Sequence, residues 1–322
     1  MDLGLRHNKT DKTDAYHLAL IQRLHHHPVN QLQSPIYKQL NSLSRFYDQL
    51  TSDLVMAKNR LHQALQSTFP EIEALFCSAK GKNYWQIVFH YPHCDLVRKD
   101  GKKQIINWLM QLKGIGFKHA QKTADKLIDL ANKAYPVVSC DSVEVEQAQY
   151  YAQRLLSLSK QREQIIERMI KLAQSLPNHD LENLESIPGF AQITAVRVLA
   201  ELGDLRRFSN SNKINAFIGI DPGRYQSGEI DSSLSITKHG NAVARKLLYR
   251  AIGQIDNASK TNPCHIADYY ESKKLSSQTQ GFKKIAIASI HKLIRTMYAL
   301  ISNDQLYDYN VAIHNQKDFS RN

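Results

Sequence analysis

Apolar residues recur at three- and four-residue steps through most of the chain, which is the spacing of one face of an α-helix. The longest such run covers residues 36–68, where Leu40, Leu43, Leu50 and Leu54 mark the apolar face. Glycine and proline are scarce, and runs of β-branched residues are short. The pattern therefore predicts one long helix in this region.

A second long helix is predicted over residues 142–176, with an apolar stripe that includes Val145, Ala152, Ile166 and Met169. Its length favours a coiled-coil-like arm, although a long helix packed inside a bundle fits the same stripe nearly as well. Shorter helices are predicted over residues 14–24, 71–90 and 103–112. The predicted fold class is therefore mainly α.

Two segments share a hydrophobic residue, a short glycine-containing turn and an alanine-bearing helix. They are LKGIGFKHAQKTADKLIDLA at residues 112–131 and LESIPGFAQITAVRVLAELG at residues 184–203. This is a helix-hairpin-helix pattern, in which glycine allows a turn that a Cβ would obstruct. Backbone N–H groups at the following helix N-terminus can bind a phosphate, so Lys113, Lys118 and Gly189 are candidate nucleic-acid contacts. A plain turn between packed helices is the alternative.

The 322 residues are 42% hydrophobic and 22% charged, as in a globular protein with room for two domains. The formal net charge of +12 favours an anionic partner, of which nucleic acid is the commonest, although such charge can also serve solubility alone. Ser186–Leu300 carries 16 Lys and Arg against 8 Asp and Glu. Most of the positive excess therefore lies in this segment.

The segment after residue 220 contains the densest candidate chemistry. Asp221-Pro222-Gly223 predicts a turn, residues 224–228 an extended or looped stretch, and SITKHGN at residues 235–241 a loop before a basic helix. A polar loop framed by arginines ahead of a basic helix suits a phosphodiester backbone. The candidate contacts are Arg224, Tyr225, Lys238, His239, Arg245 and Lys246. A solvated face with a tight turn is the alternative.

An acidic pair stands near the start of the chain, in RHNKTDKTDAYHLA at residues 6–19. Asp11 and Asp14 are three residues apart, so on a helix they share a face and can bind one hard cation such as Mg²⁺. The alternative is that Thr10 and Asp11 begin a helix, because both residue types are good N-caps.

Other candidate ligands give weaker signals. The four cysteines lie far apart, without zinc-finger spacing and without the pattern of a disulfide framework, so reduced thiols are expected; they are Cys77, Cys94, Cys140 and Cys264. His25, His26 and His27 are consecutive, so their side chains point different ways and surface histidines are expected. Neither an apolar run of about 20 residues nor an apolar signal core is present, which predicts a cytoplasmic protein without a membrane partner.

These motifs together resemble the DEDD-type insertion-sequence transposases, a family that includes a pilin-gene DNA invertase and bridge-RNA-guided recombinases. The segment RHNKTDKTDAYHLA is similar to the family's R-x-K-T-D-x-x-D-A signature. The stretches LESIPGF, TAVRVLAELGDLRRFSN, AFIGIDPGRYQSGE and KHGNAVARKLLYRA are similar to its C-terminal transposase domain. The two motifs stand in the expected order, with a long helical region between them.

The resemblance implies an RNase-H-like domain with four metal-binding carboxylates, a helical arm, and a C-terminal domain that carries a nucleophilic serine. It implies that Asp11 and Asp14 are the last two carboxylates and hold Mg²⁺, and that Ser227 joins covalently to DNA. DNA is then the expected partner, a guide RNA is a further candidate partner, and a homo-oligomer is the expected assembly. Strand cleavage and joining would be the reaction.

The family's first Asp and its Glu should lie on strands well upstream, yet ten residues precede Asp11. The sequence therefore predicts a remnant of the RNase-H-like domain at residues 1–35, a helical linker or coiled-coil region at 36–180, a C-terminal transposase domain at 181–310 and a tail at 311–322. We expect impaired catalysis from such a chain. The alternatives are a non-catalytic DNA- or RNA-binding fragment that modulates a full-length relative, and a helical scaffold whose charge only keeps it soluble.

Overall fold

The computed structural model describes residues 11–24, 33–77, 81–227, 230–276 and 281–319. The chain divides into two compact units, Met1–Ser34 and Pro35–Asn322. The second unit contains all but the first of the described helices.

Helices occupy most of these ranges, and one antiparallel pair of strands accompanies them. The helices are α1 (Asp11–Leu24), α2 (Pro35–Thr68), α3 (Lys82–His90), α4 (Cys94–Lys99), α5 (Lys102–Leu109), α6 (Phe117–Lys133), α7 (Val143–Gln174), α8 (Asp180–Glu185), α9 (Gln192–Leu202), α10 (Ser211–Ile218), α11 (Ala242–Ala258), α12 (His265–Leu275), α13 (Phe282–Asn303) and α14 (Tyr309–Phe319). The strands are β1 (Pro222–Ser227) and β2 (Ile230–Ile236). The mainly α fold is thus confirmed.

The two longest helices, α2 and α7, confirm the predicted long helices to within two residues at each end. They run antiparallel, because Lys38 near the start of α2 and Lys171 near the end of α7 line the same surface cavity. Leu40, Leu61 and Leu155 are buried in the core that these helices share. Each such leucine contributes roughly 2 kcal/mol of burial free energy. Helices α3 and α9 also pack against α7, as expected for a helix inside a bundle.

A cluster of shorter helices comes after α2 in the chain. Helices α4 and α5 pack against α6, whose buried face carries Ala120, Ala124 and Leu127. The two alanines have no bulk beyond Cβ, so the neighbouring helices approach closely. Where the sequence predicted helix across residues 71–90, the structure has a 3₁₀ turn at Pro70–Ala74 and then α3.

The carboxyl-terminal helices surround α13, which packs against α8, α10, α11 and α12. By length and composition alone α13 could cross a membrane, but 50% of its apolar stretch is buried within the protein. Ile290, Leu293 and Ile294 are fully buried there. The apolar character of α13 is therefore explained by its contacts in the bundle.

The strand pair replaces part of a region that the sequence predicted as loop. Residues 224–227 lie in β1, in agreement with the predicted extended stretch. Pro222 and Gly223, predicted as part of a turn, also belong to β1, and residues 235 and 236 belong to β2 rather than to the predicted loop. The missed signal was the alternation of Ile230, Leu234 and Ile236 with polar residues, which is the period of a strand. The loop before α11 is correspondingly shorter.

Candidate nucleic-acid interface on the hairpin and its base

The candidate nucleophile stands at the outer end of the hairpin. Ser227 is the last residue of β1, and its backbone pairs with Ile230, whereas Pro222 at the other end pairs with Ile236. Five residue steps separate the two ends, which is about 16 Å of strand. The Ser227 backbone therefore lies at the turn end of the hairpin, away from the end that Pro222 and Ile236 form.

Arg224 and Tyr225 lie on the same strand, between Ser227 and the base. Their backbones pair with Ser233 and Ser232 on β2. The register is irregular between Pro222 and Arg224, as in a β-bulge. A bulge bends a strand and redirects the residues beyond it, so this one sets how the hairpin leaves the bundle.

The base of the hairpin is fixed to the end of α10 by the loop at residues 237–241. The N–H of Lys238 donates to the carbonyl of Gly219 at 3.0 Å, and the N–H of Asn241 donates to that of Phe217 at 2.9 Å. These bonds close the loop onto the helix terminus. The predicted loop ahead of a basic helix is thus present in shortened form, and it is packed rather than free-standing.

This packing requires glycine at position 219. Gly219 has φ +71°, in the left-handed region, and a Cβ there would lie 2.3 Å from the carbonyl oxygen of His239. Lys238 also has positive φ, at 56°, which is uncommon for a residue with a side chain. The side chains of Lys238 and His239 are exposed. The strained loop therefore presents two basic residues to solvent.

Asn241 ends this loop and caps α11. Its Oδ1 accepts from the N–H groups of Val243 at 3.1 Å and Ala244 at 3.0 Å. Its Nδ2 donates to the carboxylate of Glu201 at 2.9 Å, and Glu201 also pairs with Arg45 at 2.7 Å. Sequence reasoning missed this network; an Asn immediately before an Ala-Val-Ala helix start was the available N-cap signal.

The two predicted basic contacts on α11 have different surroundings. Arg245 is half-buried, and its Nη1 donates to the carbonyl of Ile218 at 2.5 Å, so part of its guanidinium supports the end of α10. Lys246 is exposed. Lys238, His239 and Lys246 thus stand near the hairpin base, on the opposite end of β1 from Ser227.

His291, which sequence analysis did not single out, lies close to Ile220 and Asp221, just before β1. Burial lowers the pKa of His291, Asp221 opposes that shift, and Arg295 reinforces it. A lowered pKa keeps this imidazole neutral near pH 7. His291 therefore adds a polar but uncharged group below the start of β1.

The first of the two segments with the predicted helix-hairpin-helix pattern has an exposed turn. Gly114 has φ +79°, and a Cβ on it would meet open space. Lys113 and Lys118 are exposed, while Ile115 is buried and holds the turn against the helices. The turn before α6 therefore faces solvent with two lysines beside it.

The second segment differs, because its turn is packed against α11. Gly189 has φ +81°, and a Cβ there would lie 2.6 Å from the carbonyl oxygen of Gln254 and 2.7 Å from Cα of Ile255. Phe190 is 2% exposed. The glycine at this turn thus permits close approach of two helices, and its contact with nucleic acid stays a prediction.

The acidic pair lies on α1 (Asp11–Leu24), at the start of this described stretch of the chain. Asp11 and Asp14 both lie in the first turn and are exposed. Side chains three residues apart lie on one face, so both carboxylates are accessible to a cation from solvent. Their role as ligands stays a prediction, and His25, His26 and His27 lie outside the described residues.

Comparison with known protein families gives two matches at separate parts of the chain. Residues 1–70 match a model described as a transposase of the DEDD type of IS110, and residues 181–271 match the Transposase IS116/IS110/IS902 family. The first match contains Asp11 and Asp14, and the second contains the whole hairpin. Two regions found independently therefore agree.

Individual relatives agree with these matches. The chain is 28% identical over 134 residues to the transposase of insertion sequence element IS1111A from Coxiella burnetii, covering 40% of this chain and 35% of the relative. An uncharacterised 44.8 kDa protein of insertion element IS116 from Streptomyces clavuligerus is 22% identical across 93% of this chain and 72% of its own length. The pilin gene-inverting protein of Moraxella bovis is 25% identical, over 42% of this chain and 40% of the relative.

Proposed function

This chain belongs to the IS110/IS116/IS902 family of transposases, and we propose that it cuts and joins DNA strands at the ends of an insertion sequence. The observation that carries the proposal is the pair of family matches, one around Asp11 and Asp14 and one around Ser227. The match covers about a third of the length of the IS1111A relative, so DNA cleavage and joining by this chain are a proposal.

In the proposed reaction, Ser227 Oγ attacks the phosphorus of a DNA phosphodiester. The Oγ–P bond forms, one P–O bond to a deoxyribose breaks, and the displaced deoxyribose oxygen takes up a proton while the serine hydroxyl loses one. One phosphoester replaces another, so the reverse attack by a different deoxyribose hydroxyl joins strands without an energy source. The serine needs activation, because a hydroxyl is a weak nucleophile at its ordinary pKa.

Asp11 and Asp14 are the groups that we propose to hold Mg²⁺. Two exposed carboxylates one turn apart on α1 provide hard oxygen ligands, and Mg²⁺ commonly binds one or two carboxylates together with substrate phosphates and water. When bound, the ion would neutralise charge on the scissile phosphate.

The exposed basic residues support a role in gripping the DNA backbone. Lys238 and His239 in the strained loop and Lys246 on α11 stand near the hairpin base, and Arg224 and Tyr225 are on β1. Such contacts neutralise phosphates and fix register without reading sequence. Lys113 and Lys118 at the exposed first turn are a second proposed contact, on a helix-hairpin-helix.

The test is covalent trapping of DNA on the purified chain. Labelled duplex carrying the ends of the host insertion element is incubated with Mg²⁺, and protein–DNA adducts are resolved on a denaturing gel. We expect an adduct with the native chain, its loss in Ser227→Ala and Asp14→Asn, and its retention in Ser232→Ala, a matched serine on β2. An adduct of equal yield in Ser227→Ala would refute the serine assignment.

A second candidate function is nucleic-acid binding without cleavage, with modulation of a longer relative through mixed oligomers. The exposed lysines favour it: Lys238 in the loop, Lys246 on α11, and Lys113 and Lys118 at the turn before α6. Phosphate binding by these lysines does not require a complete metal site. Binding to DNA or structured RNA that weakens steeply with salt, with no adduct formed, would select this function. Size measurement on the free chain and on a mixture with a full-length relative tests the proposed homo-oligomer and mixed assembly.

A further inference from the structure

Three side chains of different ligand chemistry meet where the loop before α7 packs against the start of α4. They are His93, Asp95 and Cys140, and their donor atoms all lie within 4.8 Å of one another. His93 Nδ1 is 3.1 Å from Cys140 Sγ and 3.6 Å from Asp95 Oδ2. The cysteine is 47 residues from the histidine in sequence, so spacing gave no sign of the cluster.

The histidine is oriented for metal binding. Its Nε2 lies 2.9 Å from the carbonyl oxygen of Val138, and a carbonyl only accepts, so Nε2 carries the proton. The lone pair is then on Nδ1, which faces the thiol and the carboxylate. The ring is fully buried, and a histidine ligand commonly has its other ring N–H held by a carbonyl in this way.

The other two groups leave their donor atoms available. Arg98 donates to Asp95 Oδ1 at 2.6 Å, so Oδ2 is the oxygen turned toward the histidine. Without a cation, Nδ1 accepts a hydrogen bond from the thiol of Cys140 and another from the N–H of Asp95 at 3.2 Å. A divalent cation would replace both hydrogen-bond donors at Nδ1.

We propose that His93, Asp95 and Cys140 form a zinc site that fastens the loop at residues 136–142 to the start of α4. Zinc takes sulfur, nitrogen and oxygen ligands at about 2.0–2.3 Å in a tetrahedron, which separates ligand atoms by about 3.3–3.6 Å. The distance from His93 Nδ1 to Asp95 Oδ2 is 3.6 Å and already lies in this range. The distance from His93 Nδ1 to Cys140 Sγ is 3.1 Å and must increase by about half an ångström when zinc binds.

Binding is balanced by the loss of one proton. Zn²⁺ forms a bond to the sulfur of Cys140, the S–H bond breaks, and the proton goes to solvent. Three protein ligands leave a fourth position for water. The thiolate makes the site unsuitable for Mg²⁺, which prefers oxygen, so it is separate from the proposed catalytic ion. The inference therefore does not rest on the proposed transposase activity.

The test uses the untagged full chain, reduced and stripped of metal with a chelator. Zn²⁺ is titrated in competition with a chromophoric chelator, and Co²⁺ serves as the spectroscopic probe. We expect one tight equivalent of Zn²⁺ and, with Co²⁺, a sulfur-to-metal charge-transfer band with tetrahedral d–d absorption. Cys140→Ser should weaken Zn²⁺ binding at least about tenfold and remove the charge-transfer band.

Two further variants keep the test decisive. Cys77→Ser removes an exposed cysteine outside the cluster and should bind Zn²⁺ like the native chain. Asp95→Asn changes a side chain that is 48% exposed, so it should fold and should bind Zn²⁺ more weakly. The proposal is overturned if Co²⁺ gives no sulfur charge-transfer band, or if neither Cys140→Ser nor Asp95→Asn weakens Zn²⁺ binding.

Discussion

The side-chain amide of Asn241 donates to the carboxylate of Glu201 at 2.9 Å and to its backbone carbonyl at 3.2 Å. The Glu201 side chain is fully buried, and Arg45 on α2 donates to the same carboxylate oxygen. One residue pair thus joins the first turn of α11 to α9 and α2. The position of the loop that carries Lys238 and His239 is therefore set by a buried acid far away in sequence.

We expect Asn241→Asp to destabilise the protein, even though Asp is as good an N-cap as Asn. The change removes the donor to Glu201 and places a second carboxylate beside it, so like charges meet in a buried site. The free energy of unfolding should fall by roughly 2–3 kcal/mol, measured by urea denaturation.

Two controls isolate the cause. Asn210 caps α10 by accepting from the N–H of Lys213 at 3.1 Å and is exposed, so Asn210→Asp should change stability by less than about 0.5 kcal/mol. Asn241→Asp should lower the free energy of unfolding less in a chain that already carries Glu201→Gln than in the native chain, because the Gln side chain is uncharged. Strictly additive losses in the double variant would contradict like-charge repulsion as the cause.

Gly219→Ala should loosen the base of the hairpin. The alanine Cβ would lie 2.3 Å from the His239 carbonyl oxygen and would occupy a left-handed conformation, so we expect a loss of about 2 kcal/mol or more. Gly253 in α11 has open space around a Cβ, and Gly253→Ala should instead stabilise by about 0.5–1 kcal/mol. Both variants are compared with the native chain by thermal denaturation. Equal changes in melting temperature would show that the close contact at Gly219 does not determine stability.

Stability should fall as the pH is lowered through the range set by His265. Burial lowers the pKa of this histidine to about 4, with Lys292 contributing, while the unfolded chain has an ordinary histidine pKa near 6.5. Between these values the unfolded state binds more protons, so the free energy of unfolding rises with pH. His265 contributes up to about 3 kcal/mol to the free energy of unfolding at neutral pH, and this contribution is lost as the pH falls from about 6.5 to about 4.

The measurement is urea denaturation at several pH values for the native chain and for His265→Gln. The substitution should lower the slope of the free energy of unfolding against pH in that window, by the amount that corresponds to about one bound proton. His90 and His291 also have pKa values lowered by burial, so some dependence of the same sign should persist in His265→Gln. An unchanged slope would mean that His265 does not titrate as described.

Lys238→Gly should separate folding from binding. Glycine adopts φ 56° without strain, so the free energy of unfolding should stay constant or rise by up to about 1 kcal/mol. Loss of the exposed charge should lower DNA affinity and reduce the slope of log affinity against log salt by about one. Lys260→Ala, an exposed lysine beyond α11, is the charge control and should reduce that slope less.

Much of the local structure was predictable because its signals are local. Periodicity alone gave α2 and α7 to within two residues at each end, whereas Pro222 and Gly223, which were predicted as part of a turn, belong to β1. The strand β2 was missed because four of its seven residues favour turns, three Ser and one Asp, and because Ser232 interrupts the alternation of apolar residues. The N-cap signal at Asn241 is present in the sequence, but it stands at the end of a stretch typical of a loop.

The sequence by itself determined the mainly α fold, the two motif regions and the residue types available for chemistry, since these depend on spacing and composition along the chain. Only the tertiary structure decided that the turn at Gly114 is exposed whereas the turn at Gly189 is packed. It also decided that Arg245 donates to a backbone carbonyl and that His93 contacts Cys140. These relationships join residues that are distant along the chain, and they arise from how buried faces fit together. No pattern within a single segment records that fit.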